Sequence, residues 1–280
     1  MEVLNYFNGL LTNSSVLYNT TQELCNLNFV ECWNDHVKSI YLGSKMLTGT
    51  IPQSIQNLIQ LRYLDLSFNL LSGTIPDSFS QLTILDTLDL SNNQLSGTFP
   101  GSIQYLTTLT RLRLRNNNLI TGNISIGPLN IDLFILDLSR TSVSGIIPSA
   151  LQDLTQLLLL DLSQTNISGK IPNLLKLKQL EYLDLSYCLL TGEIPEFQGL
   201  HLKHLDFSGN QLIGTIPNSL GDVSEIAFLD LSSNYLIGTI PDSFGNFTSL
   251  ISINLSNNYL SGTIPTSLKT MKTGCMFCKI

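Results

Sequence analysis

LRYLDLSFNLLSGTIP, residues 61–76, is the stretch whose reading decides the fold. Leu61, Leu64, Leu66 and Leu71 are its apolar positions, Asn69 sits among them, and Gly73, Ile75 and Pro76 close it. Nearly the same spelling returns as LDTLDLSNNQLSGTFP from Leu85 and as ISINLSNNYLSGTIP from Ile251, with a period of about 24 residues. Leu64 and Leu66 are two apart, so both point to one face of a short strand, and residues 63, 65 and 67 point to the other. One such unit cannot bury its leucines alone. Stacked units share a continuous core, so the period predicts a solenoid stabilised by neighbour contact. The Asn69 amide is suited to bond backbone groups that a turn leaves unpaired. Gly73 permits a backbone that other residues resist, and Pro76 fixes φ where the next segment starts.

Ten copies are readable. Their first strand residues are Ile40, Leu64, Leu88, Leu112, Leu136, Leu160, Leu183, Leu205, Leu229 and Ile253. The asparagine column continues through Asn93, Asn117, Asn210, Asn234 and Asn258. Thr141, Thr165 and Cys188, which are small and still donate a hydrogen bond, fill it elsewhere. Lys45 departs from it in the first copy, where atypical residues are expected. In the fourth copy Gly122 comes one place late and Ser125 replaces proline.

The LxGxIP after LxLSxN, spread over residues 37–268, resembles the plant-specific leucine-rich repeat family. The resemblance implies an α/β solenoid: a right-handed superhelix of about ten 24-residue repeats, with short parallel strands on a concave face and a helical N-terminal cap. Members of that family are ectodomains of receptor-like kinases and receptor-like proteins, or secreted inhibitors of fungal polygalacturonases. They bind other molecules and do no chemistry. The resemblance therefore implies a non-catalytic protein with no cofactor and no metal. Its partner would be a protein or peptide ligand, with a co-receptor kinase or a secreted cell-wall hydrolase as further candidates, and its place extracellular or at the cell surface; a scaffold without a single ligand is the remaining alternative.

Residues 1–36 read as the cap. Val3, Leu4, Phe7, Leu10 and Leu11 have helical spacing. CNLNFVEC, residues 25–32, is similar to the family's capping motif, with Cys25, Val30 and Cys32 in place but Leu27 and Phe29 where tryptophan and glycine are usual. The similarity implies a Cys25–Cys32 disulfide and an oxidising compartment; two free buried thiols are the alternative. Residues 269–280 read as a frayed or truncated C-terminal cap, with a C-x-x-C at Cys275 and Cys278 that lacks two further zinc ligands nearby. The opening MEVLNYFNGLLTNSS shows neither a basic start nor a long apolar core. It reads as belonging to a fragment or a truncated gene, with cytosolic residence as the alternative.

The formal net charge of −7 argues against nucleic acid or an anionic membrane as partner. The longest leucine run is 157–160, far too short to span a membrane. Six N-x-[ST] triplets, at Asn13, Asn19, Asn123, Asn166, Asn246 and Asn254, are candidate glycan acceptors. A glycan on Asn254 would obstruct the face that binds.

Function on a solenoid lives on the exposed strand positions, read here as −1, +1, +3 and +4 from the first strand leucine. The +1 column is an acidic ladder, Asp65, Asp89, Asp137, Asp161, Asp184, Asp206 and Asp230. A regular column of seven is scaffold spelling rather than an acid–base pair. Arg111, Arg113 and Arg115 break the ladder, and Arg140 follows beside Arg115. Residues i and i+2 lie ~7 Å apart on one face, so Arg111 and Arg113 could clamp a carboxylate. The family resemblance adds that some of its peptide receptors use an R-x-R pair this way. The competing reading is internal neutralisation of Arg113 by Asp89 and Asp137. Tyr63 and Phe68 supply aromatic area near the arginines, while Tyr182, Tyr187, His204 and Phe228 form a second patch, with Ile135 and Leu159 as links between the two. His201 and His204 have no partner nucleophile.

Overall fold

The computed structural model describes residues 25, 27–126, 132–269 and 277–279. The expected cap helix, Asn13, Asn19 and Cys275 lie outside them. The chain forms two compact units, Met1–Val143 and Ser144–Ile280.

In the first unit, strand Val30–Trp33 pairs antiparallel with His36–Tyr41. Asn34 and Asp35 join them with φ of 48° and 58°, the doubly left-handed turn that suits a two-residue hairpin. The strands Tyr63–Asp65, Thr87–Asp89, Arg111–Arg113 and Ile135–Asp137 then add in parallel, with Ile40, Leu64, Leu88, Leu112 and Leu136 in one register row. Every residue of that row is at most 1% exposed. The repeat length holds the register, because a slip of one residue would turn each leucine to solvent.

The second unit repeats the arrangement. Leu159–Asp161, Tyr182–Asp184, His204–Asp206, Phe228–Asp230 and Ser252–Asn254 run parallel, with Leu183, Leu205, Leu229 and Ile253 in the buried row. Phe277–Lys279 pairs with Ser252–Asn254. Within the stretch read at 269–280 as a frayed or truncated cap, residues 277–279 offer a strand to the open backbone edge of the last repeat.

Each LxG stretch makes a further strand. Thr48–Thr50, Leu70–Thr74, Gln94–Thr98 and Leu119–Thr121 form one parallel sheet in the first unit; Ser144–Ile146, Asn166–Lys170, Leu189–Glu193 and Gln211–Ile213 form another in the second. The return segments are 3-10 turns such as Gln53–Asn57 and Asp77–Gln81, each begun by proline and sealed by one buried apolar side chain, Ile55 or Phe79. Five residues are too few for an α-helix that would be stable by itself.

The asparagine column ties repeats together. Asn69 Oδ1 accepts from the backbone N–H of Lys45 and Leu47, and its Nδ2 donates to the carbonyls of Leu42, Leu66 and Ser67, all at 2.8–3.0 Å. Thr141 and Thr165 keep a donated bond, from Oγ1 to the carbonyls of Leu138 and Leu162 at 2.7 and 2.8 Å. Cys188 Sγ reaches the Leu162 carbonyl at 3.2 Å.

Candidate ligand-binding faces

The acidic column decides which positions are free. Asp65 Oδ1 accepts the Ser67 N–H at 2.8 Å, and the same bond recurs from Ser91, Ser139, Ser163, Ser186, Ser208 and Ser232 to the aspartate two residues before each. Each carboxylate closes the turn out of its strand. The bonds draw the serines inward, and all seven are buried. The +3 column, read from sequence as exposed, is therefore closed at these seven copies; Arg115, which is exposed, is a +3 residue that stays open. Asp137 and Asp161 are themselves buried.

The +4 column is left-handed. Phe68, Arg140 and Tyr187 have φ of 54°, 53° and 51°, a conformation uncommon outside glycine and asparagine. It holds Phe68 and Tyr187 well out of the surface, at 62% and 63% exposure. Gly209 takes the same column beside Tyr187, where a Cβ would lie 2.7 Å from the ring's Cδ1.

In the first unit, Arg113 stands in register between Asp89 and Asp137. Its Nη1 is 3.7 Å from Asp89 Oδ2, and Arg111 Nη1 is 3.7 Å from Asp86 Oδ2 and 3.4 Å from the Thr87 hydroxyl. Both guanidiniums are partly wet, so these pairs hold the forks in place at little net energy. Arg115 and Arg140 are exposed and make no ion pair among the described residues. Tyr63 packs against Tyr41 with ring centroids 4.7 Å apart. Burial, then the charges of Asp65 and Asp89, pushes the Tyr63 phenol up.

In the second unit Tyr182, His204 and Phe228 occupy one register row. His204 lies flat on Tyr182, centroids 4.2 Å apart and planes 8° apart, and is tilted 42° to Phe228 at 5.9 Å. Burial lowers the His204 pKa against the pull of Asp184 and its neighbours. Burial pushes the Asp206 carboxyl up to about 6, with Asp184 and Asp230 adding to it against the bonds from Ser208. This patch is a neutral aromatic stack over crowded carboxylates; the arginine patch is cationic.

Cys25 and Cys32 are joined in a disulfide, Cα atoms 5.6 Å apart, and Cys188 is a buried free thiol. Asn123, Asn166 and Asn246 are exposed. Asn254 is half-buried, and its Nδ2 donates to Asp230 Oδ2 and the Ser232 hydroxyl at 3.0 and 3.1 Å. Sequence reading passes over Tyr235 and Tyr259, 50% and 66% exposed and stacked with centroids 6.2 Å apart. They share the position just after the column asparagine, and that recurrence is the signal that marks them. Among the described residues no helix is long and apolar enough to cross a membrane.

Sequence profiles of the Leucine rich repeat match residues 35–95, 59–119, 132–154, 179–200, 201–223, 226–247 and 249–271. A 54-residue stretch is 41% identical to a probable LRR receptor-like serine/threonine-protein kinase of Arabidopsis thaliana, covering 18% of this chain and 9% of that protein. The structure is similar to the LRR ectodomain of the Arabidopsis thaliana receptor kinase GASSHO1/SCHENGEN3, solved with Casparian strip integrity factor 2. The TM-score is 0.83 at 30% identity, over 95% of this chain and 35% of that one. The Arabidopsis receptor kinase HAESA, solved with the peptide hormone IDA and the co-receptor SERK1, gives 0.77 at 33% identity, over 86% and 42%. A plant ice-binding protein gives 0.73 at 26%, over 94% and 87%. The chain thus spans well under half of the two receptor ectodomains.

Proposed function

We propose a recognition function from one premise: the chain belongs to the plant-type leucine-rich repeat family. It is a receptor-like, non-catalytic module that binds a protein or peptide at the cell surface or outside the cell, in signalling or defence. The observation that carries this reading is the likeness, at 30–33% identity, to receptor ectodomains solved with peptide ligands. The −1, +1, +3 and +4 positions of Arg111, Arg113, Arg115 and Arg140 suit an acidic or carboxylate-ended segment. Tyr63 stands two strands away in the row of Arg111, with Phe68 in the same repeat as Tyr63; Tyr182, Tyr187, His204 and Phe228 suit an apolar or aromatic one. The carboxylates that would otherwise suggest hydrolysis are committed to serine amides, which supports a non-enzymatic role. The Cys25–Cys32 disulfide and exposed acceptors at Asn123, Asn166 and Asn246 support an oxidising, glycosylating compartment. A co-receptor kinase is the expected second partner.

The test is capture from extracellular fluid, with wild type beside Arg111→Ala/Arg113→Ala. Both arginines are partly exposed, so melting should stay within about 1 kcal/mol of wild type. Capture of a peptide or receptor kinase by wild type, at least tenfold weaker in the variant, supports the reading. Equal capture by both refutes the role of the arginines. Capture and inhibition of a glycan hydrolase would replace the receptor reading with the inhibitor one.

A second reading rests on a different observation. The ice-binding neighbour is matched over most of its own length, and Thr50, Thr74, Thr98 and Thr121 are exposed on successive strands of one sheet, with Thr98 and Thr121 in register and Thr50 and Thr74 opposite Ser72 and Ser96. The same preparation scored for inhibition of ice recrystallisation decides it: activity there, with no captured partner, selects ice.

A further inference from the structure

Stacking in the aromatic patch of the second unit uses the faces of the His204 ring and leaves its nitrogens unassigned. One of those nitrogens sits beside two carboxylates. Asp184, His204 and Asp206 each offer one ligand atom, and the three atoms lie within 4.8 Å of one another. The topology brings them together. His204 and Asp206 are i and i+2 on one strand, so they share a face, and Asp184 stands opposite Asp206 on the next strand. Donor atoms of a tetrahedral metal with bonds of 2.0–2.2 Å are about 3.3 Å apart, so small side-chain rotations close the set.

Three further observations point to a cation. His204 Nε2 is buried without a hydrogen-bond partner, a state that costs free energy unless something satisfies it. Asp184 and Asp206 each use Oδ1 for a serine N–H, at 2.9 and 2.8 Å. That fixes their orientation, as outer partners of metal ligands do; Asp206 Oδ2 remains for another bond, while Asp184 Oδ2 also accepts a long bond, 3.5 Å, from the Tyr182 hydroxyl. No Lys or Arg among the described residues pairs with either carboxylate. The −1 column carries its single histidine here. Beside the equivalent aspartate pair Asp65 and Asp89 it holds Tyr63 and Thr87, neither of which offers an imidazole.

We propose that Asp184, His204 and Asp206 form a binding site for a late first-row divalent cation, with zinc the best match. One imidazole and two carboxylates suit zinc and its neighbours, and three protein donors leave a coordination position open. Magnesium and calcium prefer oxygen-only sites with more ligands, so neither should compete.

The test titrates chelator-stripped full-length chain with zinc chloride by calorimetry. Cys275→Ser/Cys278→Ser is the background, so that thiols of the C-x-x-C do not bind. One equivalent should bind, and saturating zinc should raise the melting temperature, because it binds the folded state. His204→Phe keeps a flat ring between Tyr182 and Phe228 but removes the nitrogens; Asp206→Asn keeps an acceptor for Ser208. Each should weaken zinc at least tenfold while the far-ultraviolet circular dichroism stays that of the parent. Asp65→Asn, on the matching pair without histidine, should leave affinity unchanged. Failure of the parent to take up zinc saturably, or parental affinity in folded His204→Phe, would overturn the site.

Discussion

Asn117 is completely buried and works on both sides of its own turn. Its Oδ1 accepts the Leu95 N–H of the preceding repeat at 3.0 Å, and its Nδ2 donates to the Leu90 and Leu114 carbonyls at 3.0 and 2.9 Å. Removing the amide leaves backbone groups unpaired in an interior with no water to replace it, at ~1–3 kcal/mol for each group that stays unsatisfied. Asn117→Ala is therefore expected to cost about 3 kcal/mol in urea denaturation. Asn117→Thr should cost roughly half of that, because Thr141 and Thr165 occupy the same column and still donate to the carbonyl three residues back. Equal losses for the two variants would mean that the accepted N–H bond, which threonine does not replace in full, dominates. At this scale the asparagine is legible, since its recurrence inside a leucine frame has one physical use. The aspartate two residues after −1 is not. Alternating spelling shows only that it faces outward, and its bond to the serine N–H depends on how the chain leaves the strand.

The 3-10 turns show how closely successive elements approach. In Asn218–Asp222, Gly221 faces the next turn, Asp242–Asn246, and a Cβ built there would fall inside the contact distance of the Ser243 carbonyl oxygen. A backbone atom cannot rotate away, so the two turns must part. Gly221→Ala is expected to lower stability by about 1–3 kcal/mol, the usual range for overpacking. Gly101 opens a comparable turn, Gly101–Tyr105, with nothing within 4 Å of its added Cβ. Gly101→Ala should be neutral or stabilising by up to ~1 kcal/mol, through the unfolded chain. Thermal melts of the two variants side by side check both signs. Element types are partly legible. The two-residue spacing of Leu64 and Leu66 marks the strands, and each proline marks the start of a return segment. The hairpin escapes sequence reading because the cysteines at 25 and 32 draw residues 1–36 into one cap, although Asn34-Asp35 carries a turn signal of its own. The pairing of Phe277–Lys279 escapes it because nothing in a terminal dozen residues repeats.

Across the whole chain, what is legible is what recurs, and what is obscure is what occurs once. Ten copies of one spelling fix the buried rows almost residue by residue. The arginine and aromatic patches are departures from that spelling, so the sequence marks where they stand without saying what meets them. The same contrast predicts how the fold fails. Leu185 is 1% exposed, and each repeat has only its neighbours for a core. Leu185→Asp puts a carboxylate where no partner can reach it, and ionisation in such a place is prohibitive. The damage should therefore spread. Hydrogen exchange on the variant is expected to show lost protection in Tyr182–Asp184 together with the strands on either side, Leu159–Asp161 and His204–Asp206, and a drop in melting temperature well beyond that of Leu185→Ala, itself ~2–5 kcal/mol. Because those strands carry Asp184, His204 and Asp206, zinc uptake should vanish in the same variant. Loss of protection confined to Tyr182–Asp184 would show that a repeat here can open alone, and that neighbour coupling is weaker than the shared core requires.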